Sequence, residues 1–261
     1  MVLPEICRRA GSTVNYLALS LVSVFFLLIL FAAECIYRLT KVPPEWTRKF
    51  QHVVSGLLAA CFPWIFSTPI EVAALGAIMT LVMLVLRKSR FLTSLHDVKR
   101  ESLGEIYFVL SVVILSFLAW DKPPVYYLIP ILTLTISDTL AAIVGTAYKK
   151  RLYSITGHIK SLEGSAAFLI STLLTTSLPL LFLAGMPLLL SVLIAFNTAV
   201  LVTGVEAVCR KGSDNLFIPL STFYLLVYLT SASVSLLTLE LAGLLGLASF
   251  LTARLSRRTS R

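Results

Sequence analysis

The sequence predicts an all-α integral membrane protein, a polytopic helical bundle of about seven to nine transmembrane helices. Of the 261 residues, 57% are hydrophobic and only 13% are charged, and the mean hydropathy is +0.91. A soluble domain carries about 25% charged residues, so this complement is too small to cover a soluble surface. Disordered chains have low hydrophobicity. Both soluble globular enzymes and disordered proteins are therefore excluded.

Apolar stretches follow one another along the chain, each close to the roughly 20 residues that a helix needs to cross the hydrocarbon core. They leave no room for a soluble insertion, and we find no internal repeat. We therefore predict one multi-pass domain over residues 1–261, with the chemistry confined to 45–220. The nine candidate spans are 16–33, 53–69, 70–86, 105–120, 123–147, 165–185, 187–204, 216–231 and 233–253.

The basic residues fall mainly on one side of these spans. The net charge is +9, and nineteen of the 22 Lys and Arg residues lie in the loops after odd-numbered spans or in the C-terminal tail. The positive-inside rule then predicts that these loops and the C-terminus are cytoplasmic, in the cell membrane if the protein is prokaryotic. Arg8 and Arg9, ahead of the first span, favour the opposite orientation for that helix. Nucleic acid is not an expected partner.

A first polar cluster precedes the second span. Glu45, Arg48, Lys49 and His52 occupy positions i, i+3, i+4 and i+7, so they share one helix face. A basic anchor at the membrane interface is one interpretation. A functional stripe is the other, because an anchor does not require a Glu and a His on the same face.

Asp138 is the most informative residue, because it lies inside the fifth span. Nine residues separate it from the predicted end of that helix, which is about 13 Å at the α-helical rise. A carboxylate there costs about 2.5–3.5 kcal/mol on insertion scales and marks a functional site by default. Ala141, Ala142 and Gly145 share its face. A row of such small residues indicates either close helix packing or space for a phosphate beside the carboxylate.

A further polar cluster lies at the start of the sixth span. Lys160 and Ser161 precede Glu163 and Gly164 at the start of the sixth span, after the basic run that contains Lys150. This pattern is typical of a helix N-cap and also of a phosphate site at a helix N-terminus.

The eighth span is preceded by Glu206 and by Asp214-Asn215. The Asp-Asn pair is either a helix cap or a set of oxygen ligands for Mg²⁺, which binds one or two carboxylates together with substrate phosphates. Acids beside Lys and Arg at one membrane face are the groups that phosphoryl or nucleotidyl transfer uses. No P-loop or dinucleotide fingerprint is present, and the cysteines form no metal-site spacing.

These motifs resemble the family of CTP-dependent lipid-alcohol kinases, which contains dolichol and polyprenol kinases, phytol kinase and CTP-dependent diacylglycerol kinases. Phosphatidate cytidylyltransferase is a distant relative of that family. Two positions depart from the family pattern: Lys149 stands where a glycine is frequent, and Ile159 where a lysine is frequent. The matching residues are Glu45, Arg48, Lys49, His52, Gly56, Arg100, Gly104, Glu105, Asp138, Ala141, Gly145, Lys160, Ser161, Glu163, Gly164, Ser165, Glu206, Asp214, Asn215, Ile218 and Pro219.

The resemblance implies a kinase for a membrane lipid alcohol of the phytol, isoprenoid or polyprenol type, with CTP as donor and Mg²⁺ or another divalent cation as cofactor. Asp138, Lys160 and Glu163 are the expected catalytic residues, and Asp138, Asp214 and Asn215 the expected metal ligands. The expected nucleotide and phosphate contacts are Arg48, Lys49, His52, Lys150, Ser161, Gly164 and Gly145, and the expected supporting residues are Glu45, Arg100, Glu105 and Glu206.

Three alternatives remain open from the sequence. A diacylglycerol kinase would use the same motifs on a two-chain lipid. Nucleotidyl transfer to phosphatidate would use similar groups but release pyrophosphate. A small secondary transporter would also be hydrophobic with buried acids, but it predicts an inverted repeat and charges near the midplane of both halves.

Overall fold

The computed structural model describes residues 14–40, 42–89, 103–155, 157, 159–240 and 242–243. Most of these residues are helical, as predicted. The elements are α1 (Tyr16–Thr40), α2 (Pro44–Ala60), α3 (Phe62–Ile65), α4 (Pro69–Ser89), α5 (Gly104–Ala119), α6 (Val125–Leu132), a π-helical segment (Thr133–Ser137), α7 (Asp138–Ala147), β1 (Leu152–Ser154), β2 (Ile159–Ser161), α8 (Leu162–Phe182), α9 (Leu188–Val208) and α10 (Asp214–Ser231). The chain is helical again over 234–240.

The all-α prediction needs one correction, because β1 and β2 form an antiparallel hairpin between α7 and α8. Tyr153 pairs with Lys160, and Leu152 pairs with Ser161. The sequence prediction treated this stretch as a basic loop leading to a helix cap. Three-residue strands are too short to give a recognisable alternation of apolar and polar residues. The hairpin ends directly at the N-cap of α8, so Lys160 lies on a strand and not on a helix.

Among the described residues, five helices are long and apolar enough to cross a membrane. They are Tyr16–Thr40, Pro69–Leu86, Val125–Ala147, Leu162–Phe182 and Leu188–Val208. A multi-pass membrane protein is therefore confirmed, whereas the total of about seven to nine spans and the cytoplasmic C-terminus stay predictions. The stretch predicted as one span over 53–69 is divided between α2 and α3. Most of the span predicted over 233–253 lies outside the described residues.

The fifth predicted span is one helical run whose register changes in the middle. Pro130 lies inside α6 and cannot donate a backbone hydrogen bond. The π-helical segment Thr133–Ser137 follows, and α7 begins at Asp138. A π turn inserts one extra residue, which rotates all later side chains by about 100° relative to an unbroken α-helix. This insertion sets the direction in which Asp138 leaves the helix.

The helices pack so that the polar clusters meet at one end of the bundle. Helix α8 packs against α7 and α9, α10 packs against α9 and α5, and α1 packs against α2. The first turns of α2, α5, α8 and α10 therefore border the same region as the last turns of α7 and α9. Helix N-termini carry partial positive charge. Four of them at one end favour the binding of an anion there.

Gly56 provides a stability prediction, because it is where α2 touches the π-helical segment. A Cβ at Gly56 would lie 2.0 Å from Thr135 Oγ1 and 2.6 Å from its Cγ2. We expect Gly56→Ala to destabilise the protein by about 1–3 kcal/mol through overpacking, measured as thermal unfolding in detergent. Adding Thr135→Ala should restore part of the loss. Gly204→Ala is the matched control, since nothing lies within 4 Å of that position; equal melting temperatures for the two single variants would contradict the prediction.

Candidate active site

A cavity of about 960 Å³ opens at the polar end of the bundle and continues between α1, α2, α4 and α5. Its two ends differ in chemistry. The inner part is apolar, whereas the outer part is rich in charge. The charged residues that line it, among those described, are the bases Arg48, Lys49, Lys149, Lys160, Arg210 and Lys211 and the acids Glu45, Glu105, Asp138, Glu206 and Asp214.

The predicted stripe on α2 faces this cavity. Glu45, Arg48, Lys49 and His52 all line it, so the stripe belongs to an interior surface and is not only a membrane anchor. Pro44 at the first turn of α2 favours this helix start, because its ring fixes φ near the helical value. The structure therefore confirms that the four side chains share one face.

Lys49 and Asp138 form an ion pair across the cavity wall. Lys49 Nζ donates to Asp138 Oδ2 at 2.8 Å, and Asp138 is only 9% exposed. Burial disfavours the ammonium charge, but the adjacent carboxylate outweighs burial and raises the pKa of Lys49 above its usual value. The carboxylate that the sequence left unexplained inside a membrane span thus has a cationic partner 89 positions earlier in the chain.

His52 is held in a defined orientation. Its Nε2 lies 3.2 Å from the carbonyl oxygen of Leu134 in the π-helical segment, and its ring packs edge-on against Phe108 with centroids 5.4 Å apart. A carbonyl only accepts hydrogen bonds, so Nε2 must carry the proton. The residue expected to contact phosphate therefore uses that nitrogen to hold α2 against the π-helical segment.

A second ion pair joins the hairpin to the end of α9. Lys160 Nζ lies 2.5 Å from Glu206 Oε1 and also donates to the Glu206 backbone carbonyl. Among the described residues, Glu206 Oε2 is buried without a hydrogen-bond partner. A buried polar atom in that state is available for an added donor or cation.

The small residues of the Asp138 face are in tight contact with the start of α8. A Cβ added to Gly164 would lie 2.9 Å from the carbonyl oxygen of Ala141 and 3.1 Å from Gly145 Cα. Ser161 caps α8 by accepting a hydrogen bond from the Gly164 amide at 3.1 Å. Close helix packing and the N-cap are thus both confirmed, and Gly145, Ser161 and Gly164 also line the cavity.

Asp214 and Asn215 lie at the cavity wall, at the start of α10 and ahead of its apolar stretch. The Asn215 amide donates to the Gly104 carbonyl at 2.8 Å, which ties α10 to the start of α5. Burial, followed by the nearby charge of Asp138, raises the pKa of Asp214 to about 6. A carboxylate in this setting is stabilised by a bound cation.

The described residues contain no group of three His, Cys, Asp or Glu side chains arranged around one point for a metal ion. Mg²⁺ does not need such a cage, because it keeps waters and binds one or two carboxylates together with substrate phosphates. The donors present, carboxylate oxygens of Asp138 and Asp214 near a charged cavity, fit that mode of binding.

Two of the expected site residues, Glu163 and Lys150, lie elsewhere, and a third cannot be placed. Glu163 accepts a hydrogen bond from the Arg151 backbone amide at 3.3 Å and is not part of the cavity lining. Lys150 is exposed and does not line the cavity either. Arg100 lies outside the described residues. The roles predicted for these three residues stay predictions, as do those predicted for the residues that line the cavity.

The sequence interpretation overlooked part of the rim. Lys149, Arg210 and Lys211 line the cavity, whereas the sequence indicates for Arg210 and Lys211 only loop charges that set membrane orientation. Lys211 has φ of 54°, in the left-handed region that non-glycine residues rarely adopt. Gly212, the next residue, is the one indication in the sequence that the chain turns here, and it does not predict the direction of the turn.

Comparison with known proteins identifies the family. Phytol kinase from Synechocystis sp. is 30% identical to the chain over 210 residues, which cover 79% of this chain and 89% of that protein. The chain belongs to the lipid-alcohol kinase family. The resemblance drawn from the motifs between Glu45 and Pro219 is thereby confirmed. No protein-family model matches this family member, and no solved structure matches it either.

Proposed function

We propose that this lipid-alcohol kinase family member transfers a phosphoryl group from a nucleoside triphosphate, CTP by family resemblance, to the hydroxyl of a lipid alcohol of the phytol, isoprenoid or polyprenol type. One observation supports this most directly: a single cavity joins the Lys49–Asp138 ion pair to an apolar interior. A lipid alcohol has the same two parts, a polar hydroxyl and a hydrocarbon tail. The relative named phytol kinase supports the same reaction class.

The charged end suits the triphosphate. Lys49, Lys160 and Arg48 would contact phosphate oxygens, and the rim bases Lys149, Arg210 and Lys211 would attract the nucleotide. The four helix N-termini at this end add partial positive charge. Asp214 and Asn215 would hold Mg²⁺, which would offset the negative charge of the phosphates.

Asp138 is the group best placed to act on the hydroxyl. The alcohol oxygen attacks the γ-phosphorus, the bond from that phosphorus to the β–γ bridging oxygen breaks, and the nucleoside diphosphate leaves. The hydroxyl proton passes to the Asp138 carboxylate as the oxygen forms its new bond. Lys49, bonded to Asp138 at rest, would then neutralise the charge on the transferred group. The positive-inside bias supports a cytoplasmic position for this end.

The test uses detergent-purified protein, γ-labelled CTP and Mg²⁺ with phytol, farnesol, geranylgeraniol, a long polyprenol and diacylglycerol. We expect label in the extracted lipid, in amounts that fall when EDTA removes the divalent cation, and compare CTP with UTP and ATP. α-Labelled CTP with phosphatidate is the parallel reaction. Label that enters lipid only from the α-position would show nucleotidyl transfer, and label in no lipid from either position would overturn the proposal.

A further inference from the structure

The inner part of the cavity forms an apolar arm. Its walls come from α1, α2, α3, α4 and α5, and we define the apolar arm by Phe26, Ala59, Phe62, Val72, Leu75 and Met79. It is continuous with the charged end, because His52 and Ser55 on α2 line the same cavity between the two parts. A ligand that reaches Asp138 with a polar group can therefore place an attached hydrocarbon chain in the arm.

Exposure is high at the mouth of the cavity and very low at the end of the arm. Trp46 is 56% exposed, whereas Ala59, Phe62, Val72 and Leu75 are 1%, 2%, 1% and 2% exposed. Side chains that line an open channel would keep accessible surface along its whole length. These four residues keep almost no accessible surface, so the open part of the arm ends among them.

The distance from the charged end to this closure is limited. Ten residues separate His52 from Phe62 along α2 and α3, which corresponds to about 15 Å at the α-helical rise. On the facing helix α4, Val72 and Met83 both line the cavity, and their separation of eleven residues corresponds to about 17 Å. Two independent helices thus give the arm a similar depth.

Phe62 lies at the closed end of the arm. Its ring packs edge-on against Phe66, with centroids 5.1 Å apart, and against Phe26, with centroids 6.5 Å apart. The three rings form a plug between the arm and the opposite end of the bundle. Ala59 lies three residues before Phe62, so a larger side chain there would shorten the arm.

We infer that the apolar arm binds the single hydrocarbon tail of the acceptor alcohol and that the Phe62 plug sets the longest tail it accepts. The inference rests on the proposed function. The apolar lining of the cavity comes from α1, α2, α4 and α5, and we expect one hydrocarbon chain to bind there in preference to a two-chain glycerolipid. A long polyprenol extends past the closed end and is a poor acceptor, whereas alcohols that fill the arm are good ones.

The test compares wild type with a lengthened and a shortened arm on prenols of increasing size: geraniol, farnesol, geranylgeraniol and a long polyprenol, with diacylglycerol as the two-chain acceptor. Ala59→Leu should lower kcat/KM for the longest good acceptor about tenfold or more relative to geraniol, since a single methylene in an apolar pocket changes specificity by that order. Phe62→Ala, with Phe62→Leu as the milder variant, should shift the optimum to a longer prenol.

The control is Trp64→Ala, an aromatic deletion on the same short helix at a position that is 49% exposed and outside the cavity lining. It should leave the length profile unchanged. A profile that is flat in wild type, efficient phosphorylation of diacylglycerol, or a profile that Ala59→Leu does not alter would overturn the inference while the kinase proposal stands.

A binding readout separates the two proposals further. Prenols that fill the arm should raise the thermal unfolding temperature in detergent, with the same dependence on length and on Ala59→Leu. Such a pattern without phosphorylation of any alcohol would support the tail site and overturn the proposed reaction. Phosphorylation with no dependence on tail length in either assay would support the proposed reaction and overturn the tail site.

Discussion

Asp138→Asn should reduce lipid-alcohol phosphorylation by about a hundredfold to ten-thousandfold, the range expected when a positioned proton acceptor is lost. Asparagine keeps the shape of the side chain and still accepts a hydrogen bond from Lys49, so the contact at 2.8 Å can persist. The variant therefore removes the carboxylate charge with little change in packing. The measurement is kcat with γ-labelled CTP, together with thermal unfolding to show that the variant is folded.

Asp121→Asn is the matched control. Asp121 is an exposed aspartate at the opposite end of the bundle, between α5 and α6, so the same chemical change there should leave kcat unaltered. An Asp138→Asn protein that folds and keeps more than half of the wild-type kcat would show that Asp138 neither accepts the proton nor holds an essential charge. The proposed mechanism would then be wrong.

The Lys160–Glu206 pair gives the second large effect. Lys160→Met leaves a carboxylate that is 9% exposed without its cation, and breaking a buried pair in this way destabilises a protein by about 3–5 kcal/mol. Replacing both partners, as Lys160→Met with Glu206→Gln, should recover most of that stability because no unpaired charge remains. Thermal unfolding of the four proteins in the cycle measures this.

The double variant also distinguishes a structural role of Lys160 from a role in phosphate binding. It should fold but require a higher CTP concentration, because a cation that would contact the phosphates is gone. The control cycle uses Glu34 and Arg38, an ion pair at 2.7 Å on α1 with Arg38 57% exposed, and it should leave the kinetics unchanged. Wild-type KM and kcat in the Lys160→Met, Glu206→Gln double variant would contradict a phosphate role for Lys160.

The candidate site could be predicted from the sequence where helical periodicity and the cost of a buried charge are informative. The spacing of Glu45, Arg48, Lys49 and His52 fixes a common helix face whatever the tertiary structure. Asp138 stands out because a carboxylate inside an apolar span is unfavourable without a partner. The predicted pairing of acids with bases is also found, since Lys49 meets Asp138 and Lys160 meets Glu206.

Other features depend on tertiary contacts that leave little trace in a local pattern. The β1–β2 hairpin is too short to show an alternation. The π turn before Asp138 changes the direction of a side chain without changing the apolar composition of the span. Arg210 and Lys211 look like ordinary loop bases, and only the folded chain shows that they border the cavity.

The two ion pairs have a consequence for what the resting site can hold. Each pair cancels its own charges, so Lys49 and Lys160 are already bound to carboxylates of the same chain. A monovalent anion that displaces one carboxylate replaces one electrostatic attraction with a similar one, so its net binding free energy is small. In the proposed reaction, the phosphates of a triphosphate would contact Lys49 and Lys160 at once, and Mg²⁺ held by Asp214 and Asn215 would offset part of their negative charge. If the proposed reaction is right, the two ion pairs would favour a triphosphate over small anions before any contact with the base or the lipid is made.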